Sequence, residues 1–263
     1  MINEIFFIDK NDLFFFLFFS CAFVFWGFCL GFFPTAIIPR EFNNISWFSL
    51  RGKQARSQCA MCHKQLSWRE LIPIISYLKQ KRKCACGQNA IPAFYPITEF
   101  IILCLTIAFF FKFGFSVLSI GLTLSLPFFA TCFWMGCNAR QATDRMLIVL
   151  AYIAVGTILF AIPDVNLFYA IYGAMGAGCV GAVIKIMGDK FSANDFLSWD
   201  VVKLWAVIGF WLGVSSVGYF LFLMGVGGAL WILFPPKILK NKLSAFPYIC
   251  WSLLVFFVLM LWL

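Results

Sequence analysis

Charge is what this chain has least of. Only 12% of its 263 residues are Asp, Glu, Lys or Arg, against 63% hydrophobic and 20% aromatic. That balance excludes an ordinary water-soluble domain, in which about a quarter of the residues are charged. Histidine is almost missing: His63 is the only one, so any histidine general base would be that residue alone, and it reads instead as an auxiliary metal ligand or a solvated loop residue. A clean signal-peptide cleavage signature is also lacking. Glu4, Asp9 and Asp12 precede the first apolar stretch, which is therefore kept as a membrane span rather than a removable leader. A disulfide framework is excluded in spite of eleven cysteines. Cys21, Cys29, Cys104, Cys132, Cys137, Cys179 and Cys250 lie in or beside apolar runs, where cysteine behaves as a small hydrophobe.

Long apolar runs are what the chain has in excess, and about 20 such residues cross a bilayer as a helix. Eight spans are expected, near Leu13–Ile38, Ile97–Phe111, Phe115–Gly136, Met146–Ile162, Leu167–Met187, Val201–Ser216, Gly218–Phe234 and Phe246–Leu263. The fold class is therefore an all-α polytopic membrane protein of about eight transmembrane helices with one cytoplasmic four-cysteine loop. Residues 1–39 form the first transmembrane helix, 40–96 the cysteine loop and 97–263 the transmembrane core. The 35 phenylalanines read as lipid-facing filler and biased base composition.

The net charge of +9 would suggest nucleic acid in a soluble chain. Here the basic residues are topology determinants, because short cytoplasmic loops carry the excess of lysine and arginine. Arg40, Arg51, Lys53, Arg56, Lys64, Arg69, Lys79, Lys81, Arg82 and Lys83 are ten of the twenty, which places the cysteine loop inside the cell. The lipid bilayer, and no nucleic acid, is the partner these charges imply.

That loop carries Cys59-Ala-Met-Cys62 and Cys84-Ala-Cys86. Four thiolates from two tight turns make the closed tetrahedral site that zinc prefers, and a reducing cytosol keeps them as thiols. Structural zinc on Cys59, Cys62, Cys84 and Cys86 stands against four free thiols. Cys59-Ala-Met-Cys62-His63 also spells a c-type haem attachment motif, but that reading leaves Cys84 and Cys86 without a role and puts haem on the wrong side of the membrane.

Carboxylates at a membrane span are costly and are functional candidates by default. Asp144, Asp189, Asp195 and Asp200 gather at the cytoplasmic mouth. Asp144 and Asp200 stand where helices begin, in Thr143-Asp144-Arg145-Met146 and Ser198-Trp199-Asp200-Val201. They read either as helix caps or as a catalytic pair sharing one proton and activating water for peptide hydrolysis. Gly176-Ala-Gly178-Cys-Val-Gly181 fits a dinucleotide fingerprint, but it lies in an apolar span and follows no strand. With Gly173 and Ala174 it reads as close helix packing.

Taken together, Gly31-Phe-Phe-Pro-Thr-Ala-Ile-Ile-Pro-Arg40, the cysteine pairs, Leu71-Ile-Pro73-Ile-Ile-Ser76-Tyr77-Leu78, Tyr95-Pro96-Ile97-Thr98-Glu99, the run Asp200 to Gly213 and Phe246-Pro247-Tyr248 resemble the type IV prepilin peptidases over nearly the whole length. The resemblance implies a membrane aspartic endopeptidase of the bacterial inner membrane. Its substrates would be prepilin or pseudopilin precursors, cut at the cytoplasmic face, with Asp200 at the family's second catalytic position; Asp144 is taken as its partner in the catalytic pair. It also implies N-methylation of the new amino terminus with S-adenosylmethionine as donor.

The departures from the family pattern are specific. Asn138 stands where the family's first catalytic aspartate is expected, Leu197-Ser198-Trp199-Asp200 replaces Gly-x-Gly-Asp, and Lys203 falls one residue later than the pattern. Lys81-Arg82-Lys83-Cys84 lacks the family's glycine, which weakens the case for methyl transfer. The alternative these departures support is an inactive assembly or docking protein of the same fold. An unrelated transporter would show helix breaks or acids deep in the spans, whereas the acids here sit at the edges.

Overall fold

The computed structural model describes residues 13–42, 47, 77, 93–137, 144–161, 167–191, 197–233 and 246–262. Their regular structure is helical: α1 (Leu13–Phe42), α2 (Phe94–Phe113), α3 (Val117–Cys137), α4 (Asp144–Ala161), α5 (Leu167–Phe191), α6 (Trp199–Leu233) and α7 (Phe246–Trp262). Helices satisfy their own backbone hydrogen bonds, which a lipid interior demands. Among the described residues five stretches are long and apolar enough to cross a membrane: Phe16–Ile38, Phe94–Phe113, Val117–Met135, Leu167–Lys190 and Trp199–Gly227. The helices α4 and α7, of 18 and 17 residues, lie at the short end for a crossing.

One boundary differs from the sequence reading. The two spans expected at Val201–Ser216 and Gly218–Phe234 run as one 35-residue element, α6, interrupted at Gly213 (φ 67°, ψ 173°). Only glycine adopts that conformation without strain, so the interruption falls on Gly213 rather than beside Gly218. A helix break was the mark of the transporter reading, but this one is remote from the carboxylates: Asp200 lies in the first turn of α6.

The chain divides into two compact units, Met1–Thr131 and Cys132–Leu263. In the first, α1 packs on α2 through Gly27 and Gly31, which lie four residues apart on one helical face. A Cβ on Gly27 would come within 3.0 Å of Leu103 Cδ1, and one on Gly31 within 3.3 Å of Glu99 Cα. Small residues at this spacing let helix backbones approach where no hydrophobic force separates helix from lipid. Phe23 fills the adjoining space, its ring centre 4.6 Å from that of Phe110, and Phe19 meets Phe115 at 4.5 Å. The filler reading of phenylalanine therefore needs correcting. Phe14, Phe18 and Phe25 are exposed, but Phe23, Phe109, Phe110, Phe129, Phe220 and Phe256 are buried core.

The α2–α3 turn depends on Gly114, whose φ of 63° brings its N–H to Phe110 O at 2.8 Å. Ser116 and Ser119 then exchange backbone-to-hydroxyl bonds at 3.2 Å and open α3. Trp26 Nε1 donates to Thr123 Oγ1 at 3.3 Å. Trp26→Phe should lower stability by about 0.5–1 kcal/mol, seen as a reduced melting midpoint in detergent. An unchanged midpoint would show that this bond carries no net stability.

In the second unit α6 is the hub, packed against α4, α5 and α7. On α5, Gly173 lies backbone to backbone against Gly209 and Gly213, so that a Cβ on Gly173 would strike Gly209 O. A Cβ on Gly178 would meet Ala206 Cβ at 3.3 Å, and one on Gly181 would meet Trp205 at 3.1 Å. The glycine run in α5 is a packing surface, as its composition implied. Trp251 of α7 occupies the space a Cβ on Gly227 would need and donates its indole N–H to Leu223 O at 2.8 Å. The packing of α4 on α6 brings the first turns of those two helices near one another.

Candidate carboxylate site at two helix amino-termini

Asp144 opens α4, followed by a buried stripe of Met146, Leu150, Ala154 and Ile158 at four-residue spacing. This apolar face locks α4 against its neighbours and leaves the residue before it at the rim. The start of α6 is pinned by fully buried Leu197 and by Ser198 O, which accepts from Val201 N at 3.1 Å and Val202 N at 3.5 Å. Val201, Val202, Leu204 and Trp205 are buried immediately beyond. Asp200 and Lys203, three apart, share one helical face.

Lys203 joins the two acids. Its Nζ donates to Asp144 Oδ1 at 2.5 Å and stands 3.9 Å from Asp200 Oδ1. The side chains differ sharply in exposure: 68% for Asp144, 48% for Lys203 and 13% for Asp200. Asp200 Oδ2 is fully enclosed and accepts no hydrogen bond among the described residues. A buried acceptor without a donor carries a desolvation cost that native structures rarely leave unbalanced unless the group has work to do. Neither carboxylate caps a backbone N–H among the described residues, so the capping reading does not describe this geometry. Their negative charge in the first turns still complements the helix dipoles.

The structure therefore brings Asp144 and Asp200, both expected to be functional, into one electrostatic cluster within a single unit. It adds Lys203, which the sequence reading had noted only as a change of register. The three-residue step from Asp200 was the signal that could have found it. Cys132, fully buried on α3, lies within electrostatic reach of Asp200. Asp189 is engaged elsewhere, paired with nearly buried Lys185 at 2.8 Å, and Lys185 Nζ stands 5.7 Å from the Trp199 ring centre.

Asp195, Asn138, His63 and the zinc candidates Cys59, Cys62, Cys84 and Cys86 lie outside the described residues. Among the described residues no group of three or more His, Cys, Asp or Glu side chains gathers to hold a metal. Chemically, the cluster offers one exposed and one enclosed carboxyl bridged by an ammonium, a set able to exchange a proton with water or with a peptide carbonyl.

Residues 25–113 match the Bacterial Peptidase A24 N-terminal domain. The chain is 29% identical over 181 residues to the prepilin leader peptidase/N-methyltransferase of Bacillus subtilis (strain 168), an alignment covering 67% of this chain and 68% of that protein. It is 26% identical over 180 residues to the Neisseria gonorrhoeae protein of the same name, covering 65% and 60%. Against the Aeromonas salmonicida one it is 27% identical over 179 residues, covering 66% and 60%. The match thus spans about three fifths of the latter two relatives. No solved structure matches the chain.

Proposed function

Starting from its kinship with the prepilin leader peptidases, of which it is a divergent relative, we propose that this protein is a membrane aspartic endopeptidase. It removes the basic leader from type IV prepilins or pseudopilins. The observation that carries the aspartic mechanism is the convergence of Asp144 and Asp200 on Lys203. In this reading one carboxylate takes a proton from the attacking water while the other, protonated, polarises the scissile carbonyl. A precursor with a basic leader and a following apolar helix suits the position of the pair, because the helix stays in lipid while the leader remains in water. The excess of lysine and arginine in residues 40–83 supports a cytoplasmic site in the bacterial inner membrane. With α6 counted as two spans at Gly213 and with α4 and α7 crossing, eight spans account for that orientation. Co-expression with a prepilin precursor and mass spectrometry of the product tests the activity. A leader that stays attached would overturn it.

The same spectrum reads methylation as one added methylene on the new amino terminus. S-adenosylmethionine would be the donor for that step, and no residue of this chain is assigned to it. The reading of the chain as an inactive docking protein draws on Asn138, since an amide cannot share a proton as a carboxylate does. Asp144 answers it by supplying the second carboxyl.

Structural zinc on Cys59, Cys62, Cys84 and Cys86 is proposed for the loop. Four thiolates fit zinc and leave no open position, so the ion would brace the loop without activating water. Elemental analysis of purified protein should find one zinc per chain, lost in Cys59→Ser and in Cys84→Ser. Metal-free wild-type protein from zinc-containing medium would overturn the assignment.

A further inference from the structure

We infer that Lys203 is a positioning residue of the carboxylate site, tethering exposed Asp144 beside enclosed Asp200 and holding the pair in its one-proton state. This inference rests on the aspartic reading above. The geometry that carries it is the 2.5 Å bond to Asp144 Oδ1, the 3.9 Å approach to Asp200 Oδ1 and the enclosed Asp200 Oδ2, which has no donor among the described residues. Asp144 is 68% exposed on the first turn of a helix, where a free carboxylate would sample water. The ammonium on the neighbouring helix gives it one direction.

Charge counting points the same way. Two carboxyls sharing one proton carry a single negative charge, and the ammonium cancels it. The working state of the cluster is thereby neutral at a membrane boundary, where an uncompensated charge is costly. Without the ammonium 3.9 Å away, Asp200 binds a proton more readily, because an opposite charge within about 4–6 Å favours the ionised acid. The one-proton window then moves to higher pH.

Other charged and titratable groups stand on the elements around α6. Arg145 follows Asp144 on α4, which also carries Tyr152. From α5, Lys185 and Asp189 are paired at 2.8 Å, and that helix also bears Lys190, Cys179, Tyr169 and Tyr172. From α3, Cys132 is fully buried, and the described side chains of α7 include one ionisable hydroxyl, Tyr248. Among the described residues Lys203 is the cation that reaches both acids.

The test uses the full chain in lipid nanodiscs and infrared titration of the protonated-carboxyl stretch, with Asp200→Asn identifying the band of this site. Lys203→Met should raise the midpoint by about one pH unit or more, and Lys203→Arg should keep it near wild type. The pH–rate profile of kcat/KM on a prepilin precursor should move in the same direction in Lys203→Met. A merely structural lysine would lower the amplitude and leave the pH limbs in place. An unmoved midpoint in Lys203→Met would overturn the inference. A moved midpoint in a protein that cleaves no prepilin would uphold the role of Lys203 and overturn the peptidase reading instead.

Discussion

Asp200→Ala is expected to abolish leader removal, by at least about 10³-fold in kcat/KM, while leaving the protein as stable as wild type or slightly more stable. The first expectation follows from chemistry. Among the described residues no other carboxyl stands at the enclosed position, and a 10³-fold loss corresponds to about 4 kcal/mol of transition-state stabilisation. The second follows from geometry: among the described residues Asp200 Oδ2 accepts no hydrogen bond and the side chain is only 13% exposed, so its removal takes away a desolvation cost. A helix cap would behave in the opposite way, its loss costing about 1 kcal/mol. Melting midpoints and cleavage measured together separate the two roles. Full activity with lowered stability would make Asp200 a cap and remove the aspartic mechanism. Asp144→Ala should also suppress cleavage, and undiminished cleavage in that variant would move the partner acid elsewhere.

The largest structural effect is expected at the α5–α6 crossing. Gly173→Ala should cost about 2–3 kcal/mol, because the added methyl meets the Gly209 carbonyl and the Gly213 backbone, and backbone cannot rotate aside. Gly178→Ala, with Ala206 Cβ at 3.3 Å, should cost less. Gly176→Ala meets only Val217 at 4.0 Å and should be neutral or gain up to about 1 kcal/mol, since alanine is the better helix former. Melting of the three variants in detergent should rank them in that order. Equal midpoints would show that the crossing does not tighten in the membrane as it does here. A destabilised Gly173→Ala should also lose activity, because α6 carries Asp200 and Lys203.

The site was partly legible beforehand. Asp144 and Asp200 could be picked out because carboxylates at apolar helix starts are rare and costly. Their convergence could not, because it depends on α4 and α6 packing together, and 56 residues of sequence separate the two acids. Lys203 was hidden for the same reason: its bond to Asp144 crosses between helices. The α5 glycines could be read as packing residues from their spacing, but their partners, Gly209, Ala206 and Trp205, belong to another helix.

Composition by itself determined that this is a helical membrane protein, since 63% hydrophobic residues with 12% charged allow few other solutions in which the backbone is satisfied. The order of the apolar runs, the gathering of basic residues in positions 40–83 and the resemblance to prepilin peptidases were likewise fixed by local pattern. Only the tertiary structure decided which phenylalanines are core, where α6 breaks and which groups face Asp200. Local pattern records hydropathy and turn chemistry along the chain, whereas burial, backbone clearance and charge pairing are properties of helices brought side by side. The ammonium of Lys203, shared between Asp144 and Asp200, exists only once α4 and α6 have packed.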